Sequence, residues 1–142
     1  MIVLSTTSPQ DLTQYNTDLL TFERELTSLA IDNELTYPER WFVGSKHGCS
    51  CGFRNLSTSS IDLGFGVPED WYPEETDDIE ATIEFYLVIK KLLSEAHQVD
   101  CIDAWDNQDD QSSLLGTTVV NMNSVEPNEF RFFENHKFEF VT

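Results

Sequence analysis

The clearest alternation of hydrophobic and polar positions lies between about residues 76 and 96. Apolar residues at helical spacing fill a wide stripe there, and carboxylates and lysines occupy the remaining strip. Asp77 and Glu80 have the spacing of a capping box, and the first turn is acidic, as the helix dipole favours. The pattern predicts one long helix with a broad buried face.

Shorter apolar and β-branched runs predict strands on both sides of this helix. They lie at residues 2–4, 40–43, 51–54, 99–105, 117–122 and 138–141. The run at 99–105 is apolar on both faces, which is typical of a central strand. A short helix within 8–18 and a helical turn at 124–129 are also predicted, whereas 19–26 could be helix or strand.

Together these elements predict an α+β fold. We expect a single β-sheet, mostly antiparallel or mixed, packed against one long helix (about 76–96) that covers one of its faces. A loop region rich in glycine and aromatic residues should occupy residues 44–75. The 142 residues show no repeat, low-complexity tract or linker, so we expect one globular domain spanning 1–142.

The charge of the chain is strongly negative and unevenly distributed. Asp and Glu number 26 against eight Lys and Arg, a net charge of -18, and residues 55–130 hold seventeen carboxylates but only Lys90 and Lys91 as cations. This field repels nucleic-acid phosphate and anionic lipid, so we expect neither nucleic acid nor membrane as a partner. A basic protein or peptide is favoured, with general solubility or adaptation to a salty host as the alternative reason for the acidity.

The sequence also predicts a cellular location. It has no run of about 20 apolar residues, and its first residues, MIVLSTTSP, lack the features of a signal peptide. Three cysteines do not form a secreted disulfide framework. We therefore expect a cytoplasmic, bacterial-type protein with reduced thiols, and we leave its oligomeric state open.

The stretch GSKHGCSCGFR, residues 44–54, concentrates residues that can carry chemistry. A zinc site could use His47, Cys49, Cys51, Cys101 and His97, although cysteine pairs in structural zinc sites usually have two to four residues between them. A redox pair or an anion cradle of backbone N–H groups are further alternatives, but redox motifs usually have two intervening residues at a helix start. We expect a hairpin loop with reduced cysteines and no cofactor, and keep zinc as the alternative.

Other motifs do not support an enzyme. The acidic loop at 106–110 lacks the Gly and Glu of a calcium-binding EF-hand, because Gln111 and Thr117 occupy those two positions. Nucleophile-elbow, zinc-protease and kinase patterns are also missing from the sequence. We nominate no catalytic residue.

The segment LGFGVPEDWYPEE, residues 63–75, is the strongest candidate for an interaction site. Its aromatic residues and carboxylates suit the recognition of Lys or Arg through cation–π contacts and ion pairs, with Trp71 and Tyr72 as anchors. Alternatively, Phe65 and Trp71 cover the core while the acids solvate its edge. The candidate interaction residues are Phe65, Glu69, Asp70, Trp71, Tyr72, Glu74 and Glu75.

These observations favour a protein-interaction module that uses an acidic, aromatic surface to bind a basic partner. Its size and charge resemble those of small immunity or inhibitor proteins that neutralise basic partners, which is an analogy of charge and not of sequence. The alternatives are a metal- or thiol-dependent protein centred on Cys49, Cys51 and Cys101, or a small enzyme of unspecified chemistry.

Overall fold

The computed structural model describes residues 1–24, 34–46, 48–104 and 114–142. Within these ranges it contains eight β-strands, one α-helix and three short 3-10 turns. The strands and the helix are β1 (Ile2–Thr6), β2 (Leu20–Glu23), β3 (Glu39–Ser45), β4 (Asn55–Leu56), α1 (Thr76–Ser94), β5 (Val99–Asp103), β6 (Gly116–Asn121), β7 (Phe132–Phe133) and β8 (His136–Val141). The 3-10 turns are Leu12–Tyr15, Ser50–Gly52 and Ile61–Leu63.

Six strands form one mixed sheet in the order β2-β3-β1-β5-β8-β6. Neighbours in this sheet are antiparallel except β6 and β8, which are parallel. Strands β4 and β7 form a separate two-stranded parallel sheet. The predicted α+β class, a mixed sheet packed with a long helix, is confirmed, and β5 lies centrally between β1 and β8.

The main core lies between α1 and one face of the sheet. Alternate residues of β1, Ile2 and Leu4, face it and are fully buried, as their period-2 spacing requires. At its centre the ring of Phe85 on α1 lies 5.1 Å from Phe132 and 6.3 Å from Phe130. These aromatic contacts join the helix, the small sheet and the segment before β7 into one core.

The other face of the sheet is also partly covered, which the sequence-based expectation of a single covered face missed. Every residue of β1 and β5 is buried. Asp100 of β5 accepts a hydrogen bond from Ser5 and another, of 3.0 Å, from the backbone N of Thr36. Lys137 lies 3.6 Å from the same carboxylate, so the buried charge is paired and hydrogen-bonded.

The predicted hairpin at residues 44–54 is wrong. Residues 40–43 lie in β3, but the predicted second arm, residues 51–54, is not a strand. The next strand, β4, pairs with β7 in the other sheet and not with β3. Between them the chain folds back as the 3-10 turn Ser50–Gly52. Gly52 lies directly on Ser45, since a Cβ there would approach Ser45 Oγ to 2.5 Å.

Several local predictions also need correction. The predicted helix within 8–18 is only the 3-10 turn Leu12–Tyr15, and residues 124–129 form turns. The undecided segment 19–26 contains β2, and its last two residues lie outside the described ranges. The capping box is wrong, because Glu75 is the N-cap of α1 and the Asp77 carboxylate accepts a hydrogen bond of 2.8 Å from Lys46 Nζ.

Candidate functional site

Two arginines and one glutamate form a buried ionic triad at the base of the loop that precedes α1. Arg54 donates from Nε to Glu74 Oε2 at 2.6 Å and from Nη2 to Oε1 at 2.9 Å. Arg131 Nη2 donates to the same Oε1, also at 2.9 Å. The exposed fractions of the three side chains are 0% for Arg54, 6% for Glu74 and 4% for Arg131. The triad is therefore desolvated and carries one net positive charge.

Other guanidinium N–H groups fasten the loop, while Arg54 Nη1 donates to the carbonyl of Asn128 at 2.5 Å. Arg54 Nη2 donates to the carbonyl of Gly66 at 2.9 Å. Arg131 donates to the carbonyls of Gly64 at 3.1 Å and Val67 at 3.3 Å. These carbonyl dipoles offset the excess positive charge, and the planar guanidinium groups fix the direction in which each carbonyl points.

The same contacts determine the ionisation of Glu74. Burial alone raises the pKa of a carboxyl group, but hydrogen bonds and charge from Arg54 and Arg131 outweigh burial and hold the pKa of Glu74 below its ordinary value of 4.5. Glu74 is thus ionised at neutral pH. Because it is buried in the triad, it cannot be one of the steering charges predicted for a partner.

The aromatic residues of the loop divide between core and surface. The Phe65 ring stacks on Phe133 at 5.0 Å and on Phe130 at 5.5 Å, so it packs inward. Trp71 is 67% exposed, and its ring meets that of Tyr72 edge-on at 6.2 Å. The alternative interpretation is therefore right for Phe65, whereas Trp71 projects into solvent.

The tip of the loop combines Trp71 with exposed carboxylates. Tyr72 N donates to the carbonyl of Glu69 at 3.2 Å, which closes a tight turn through Asp70 and Trp71. Glu69, Asp70 and Glu75 are exposed. We call residues 69–72 together with Glu75 the acidic tip.

The cysteines lie at a second location. Cys49 and Cys51 are joined by a disulfide, so the expectation of reduced thiols is wrong for this pair. Cys101 is free and buried in β5 between Leu4 and Phe138, and burial raises the pKa of its thiol well above the ordinary value. His47 lies outside the described residues.

The structure does not bring the other proposed metal ligands together. His97 precedes β5, whereas the cysteine pair faces residues 103 and 104 at the far end of that strand. Six residues of extended chain span roughly 20 Å. In the described ranges, no three His, Cys, Asp or Glu side chains are grouped so that they could hold a metal ion.

The disulfide lines a cleft of about 590 Å³, which also contains Met1, Phe42, Asn55, Asp103 and Glu134. Burial raises the pKa of Asp103 to about 6, although the Met1 ammonium group at 3.8 Å and a hydrogen bond from Asn55 act in the opposite direction. The charge of Glu134 adds to the increase. Asp103 thus titrates close to neutral pH.

The sequence reasoning missed Arg54, Arg131 and Asp103. A signal was present for Arg131, because it lies between Phe130 and Phe132 in an aromatic run, whereas Arg54 follows only the single Phe53. A cation within such a run requires a buried partner. Asp103 had a similar signal, because it lies inside the run 99–105 that is predicted as a central strand.

Comparisons with protein-family models, characterised proteins and solved structures found no match to this chain. No helix in the described residues has both the length and the apolar character needed to cross a bilayer. The function must therefore be inferred from the geometry of the two locations described above.

We predict that replacing Glu74 is far more destabilising than replacing its neighbour. Glu74→Gln leaves two buried guanidinium groups without a carboxylate and should lower the free energy of unfolding by about 3–5 kcal/mol at pH 7. Because the Glu74 pKa is depressed, this difference should shrink as the pH falls below 4.5. Urea unfolding monitored by circular dichroism measures both effects.

Glu75→Gln is the matched control, because this side chain is 78% exposed and lies 4.0 Å from Lys46. It should change the free energy of unfolding by less than about 0.5 kcal/mol. Equal effects of the two substitutions would show that the triad does not stabilise the fold.

We predict that Asp103 makes the protein less stable as the pH rises from 4 to 7. Its folded pKa of about 6 lies above the unfolded value of 3.8, so the folded state binds more protons in this interval. Asp103→Asn does not titrate, and its stability relative to the wild type should increase by up to about 3 kcal/mol between pH 4 and pH 7. Urea unfolding at a series of pH values tests this, and a difference that stays constant with pH would contradict it.

Proposed function

We propose that this protein is a binding module for a basic protein or peptide, and that the acidic tip forms the centre of its binding surface. The observation that carries the proposal is that Trp71, 67% exposed, projects from a loop fastened by a buried ionic triad. Core packing does not explain why a loop fixed by a desolvated ionic cluster leaves the large Trp71 side chain exposed to water. Binding supplies an explanation, since tryptophan is among the residues that contribute most energy at protein interfaces.

Preorganisation of the loop favours binding. Ordering a flexible loop when a partner binds costs free energy, whereas the carbonyls of Gly64, Gly66 and Val67 are already fixed by Arg54 and Arg131. The positions of Glu69 to Tyr72 follow from this anchoring and from the tight turn that they form. A partner would meet a surface that is already in its bound shape.

The chemistry of the acidic tip indicates a cationic partner. Beside Trp71 lies a hollow of about 300 Å³ that is lined by Leu63, Tyr72 and Asp62. The aliphatic part of a Lys or Arg side chain can pack on the apolar rings, while its charge lies near the Asp62 carboxylate. This hollow is large enough to admit one long side chain and lies at the lower limit of volumes found for small-molecule sites.

The distribution of cations strengthens the negative field around this hollow. Arg54 and Arg131, two of the chain's eight cations, are used inside the protein, and Lys46 is paired with Asp77 at 2.8 Å. The exposed carboxylates near the start of α1 are left with little positive charge to neutralise them. Such a surface accelerates the approach of a basic partner and makes binding sensitive to salt.

We predict that an arginine-rich peptide binds at Trp71. The probe is a synthetic decapeptide of alternating Arg and Gly residues, titrated at 20 mM and 200 mM NaCl by isothermal calorimetry. Trp71→Ala should weaken binding at least about fivefold through loss of the cation–π contact. Leu87→Ala, which removes another exposed apolar side chain, 50% exposed on α1, should leave the affinity unchanged.

A pair of charge variants separates local recognition from general attraction. Glu69→Gln combined with Asp70→Asn should weaken binding more than Asp18→Asn combined with Glu23→Gln, which removes the same charge from two exposed positions elsewhere. If the two double variants bind alike, or if Trp71→Ala matches Leu87→Ala, the acidic tip is not the binding site.

A further inference from the structure

The Cys49–Cys51 disulfide opens onto the cleft of about 590 Å³ described above. Cys51 is exposed, whereas Cys49 is half-buried. A molecule in the cleft can therefore reach the disulfide, and it meets Cys51 more readily than Cys49. This accessibility distinguishes the pair from a disulfide enclosed in a core.

The disulfide adds little of the stability that a structural cross-link normally gives a fold. It joins residues only two positions apart and connects no separate elements of the fold. Stabilisation by restriction of the unfolded chain grows with the length of the closed loop, so it is near its minimum for a loop this short. A structural role therefore does not account for the bond.

The loop that carries the two cysteines is already held by other hydrogen bonds. Ser50 Oγ accepts from Ile2 N at 2.8 Å and donates to the carbonyl of Val43 at 2.7 Å, which ties the loop to two strands of the main sheet. Ser50 is the residue between the two cysteines. Opening the disulfide would leave both of these bonds in place.

Ser45 holds the loop from the other side. Its Oγ donates to the carbonyl of Cys49 at 2.7 Å and accepts from Gly52 N at 3.0 Å. The backbone on both sides of the cysteine pair is thus fixed independently of the S–S bond. A pair of thiols produced by reduction would stay close together, ready to reform the bond.

The cleft is lined by both apolar and polar residues. Met1, Phe42 and Ala104 provide apolar contacts, and Asn55 and Glu134 provide polar ones. Its volume lies in the range of sites for small molecules and short peptide segments. It is thus large enough for a cysteine-containing peptide segment to approach Cys51.

We propose that Cys49–Cys51 is an exchangeable disulfide that oxidises dithiols presented by peptide segments in this cleft. The activity is separate from the proposed binding of a basic partner and does not depend on it. Cys101 takes no part, because it is buried in the core on the helix side of β5.

The exchange proceeds in two balanced steps. A substrate thiol loses its proton to water, and the thiolate attacks the sulfur of Cys51. A mixed disulfide forms, the Cys49–Cys51 bond breaks, and the released Cys49 thiolate takes up a proton. The second substrate thiolate then attacks the substrate sulfur of the mixed disulfide, and Cys51 leaves as a thiolate that takes up a proton. The substrate dithiol becomes a disulfide, and two electrons and two protons reach the cysteine pair.

Thiol counting on the wild-type protein gives the first test. Protein purified without reductant and then denatured should show one thiol per chain, that of Cys101. Folded protein treated with dithiothreitol should gain two more thiols with an unchanged near-ultraviolet circular dichroism spectrum. Three thiols at the outset, resistance of the folded protein to dithiothreitol, or loss of the fold on reduction would each overturn the proposal.

Glutathione distinguishes a cooperating pair from two independent thiols. Reduced wild-type protein mixed with oxidised glutathione should lose two thiols and retain no adduct, because the partner cysteine displaces the bound glutathione. Reduced Cys49→Ser should retain one glutathione, measured by mass spectrometry. Reduced Cys51→Ser should form its adduct at least about tenfold more slowly, because its remaining thiol is half-buried. A persistent adduct on the wild type, or equal rates for the two variants, would contradict the mechanism.

Discussion

The ionic triad of Arg54, Glu74 and Arg131 is the interaction on which the rest of this structure depends. Arg54 immediately precedes β4, Arg131 immediately precedes β7, and Glu74 lies two residues before α1. A single carboxylate therefore joins both strands of the small sheet to the start of the helix. Buried ion pairs seldom stabilise a fold more than apolar residues of the same shape, so we infer that this triad mainly specifies where the loop lies.

The triad also shows that the carboxylates of this acidic chain have different roles inside the protein and on its surface. The carboxylates of Glu74, Asp100 and Asp103 lie inside the protein, each with cationic or hydrogen-bonding partners. The carboxylates of the acidic tip lie outside, next to an exposed tryptophan. Similar side chains in one sequence thus perform two tasks: a few fix the geometry of the chain, and others form the field that a basic partner would meet.

The sequence predicted the long helix and most strands of the main sheet, but the site only in part. The long helix, the central position of β5 and the mixed sheet followed from hydrophobic periodicity, which depends on local spacing. Glu74 and Glu75 are adjacent and chemically identical, and only the fold separates them, because Arg54 and Arg131 lie 20 and 57 positions away from Glu74. The hairpin prediction failed for a similar reason, since Gly52 packs against Ser45 in a 3-10 turn and the strand that follows pairs with the distant β7.

The central claim is that the triad holds the loop carrying Trp71 in one conformation. The most direct test is the measurement of backbone ¹⁵N order parameters in the wild-type protein. The account predicts that residues 64–72 have values near those of α1, about 0.85, as in rigid backbone. Values below about 0.6 in this loop, with α1 rigid, would show that the triad does not fix it and would contradict the account.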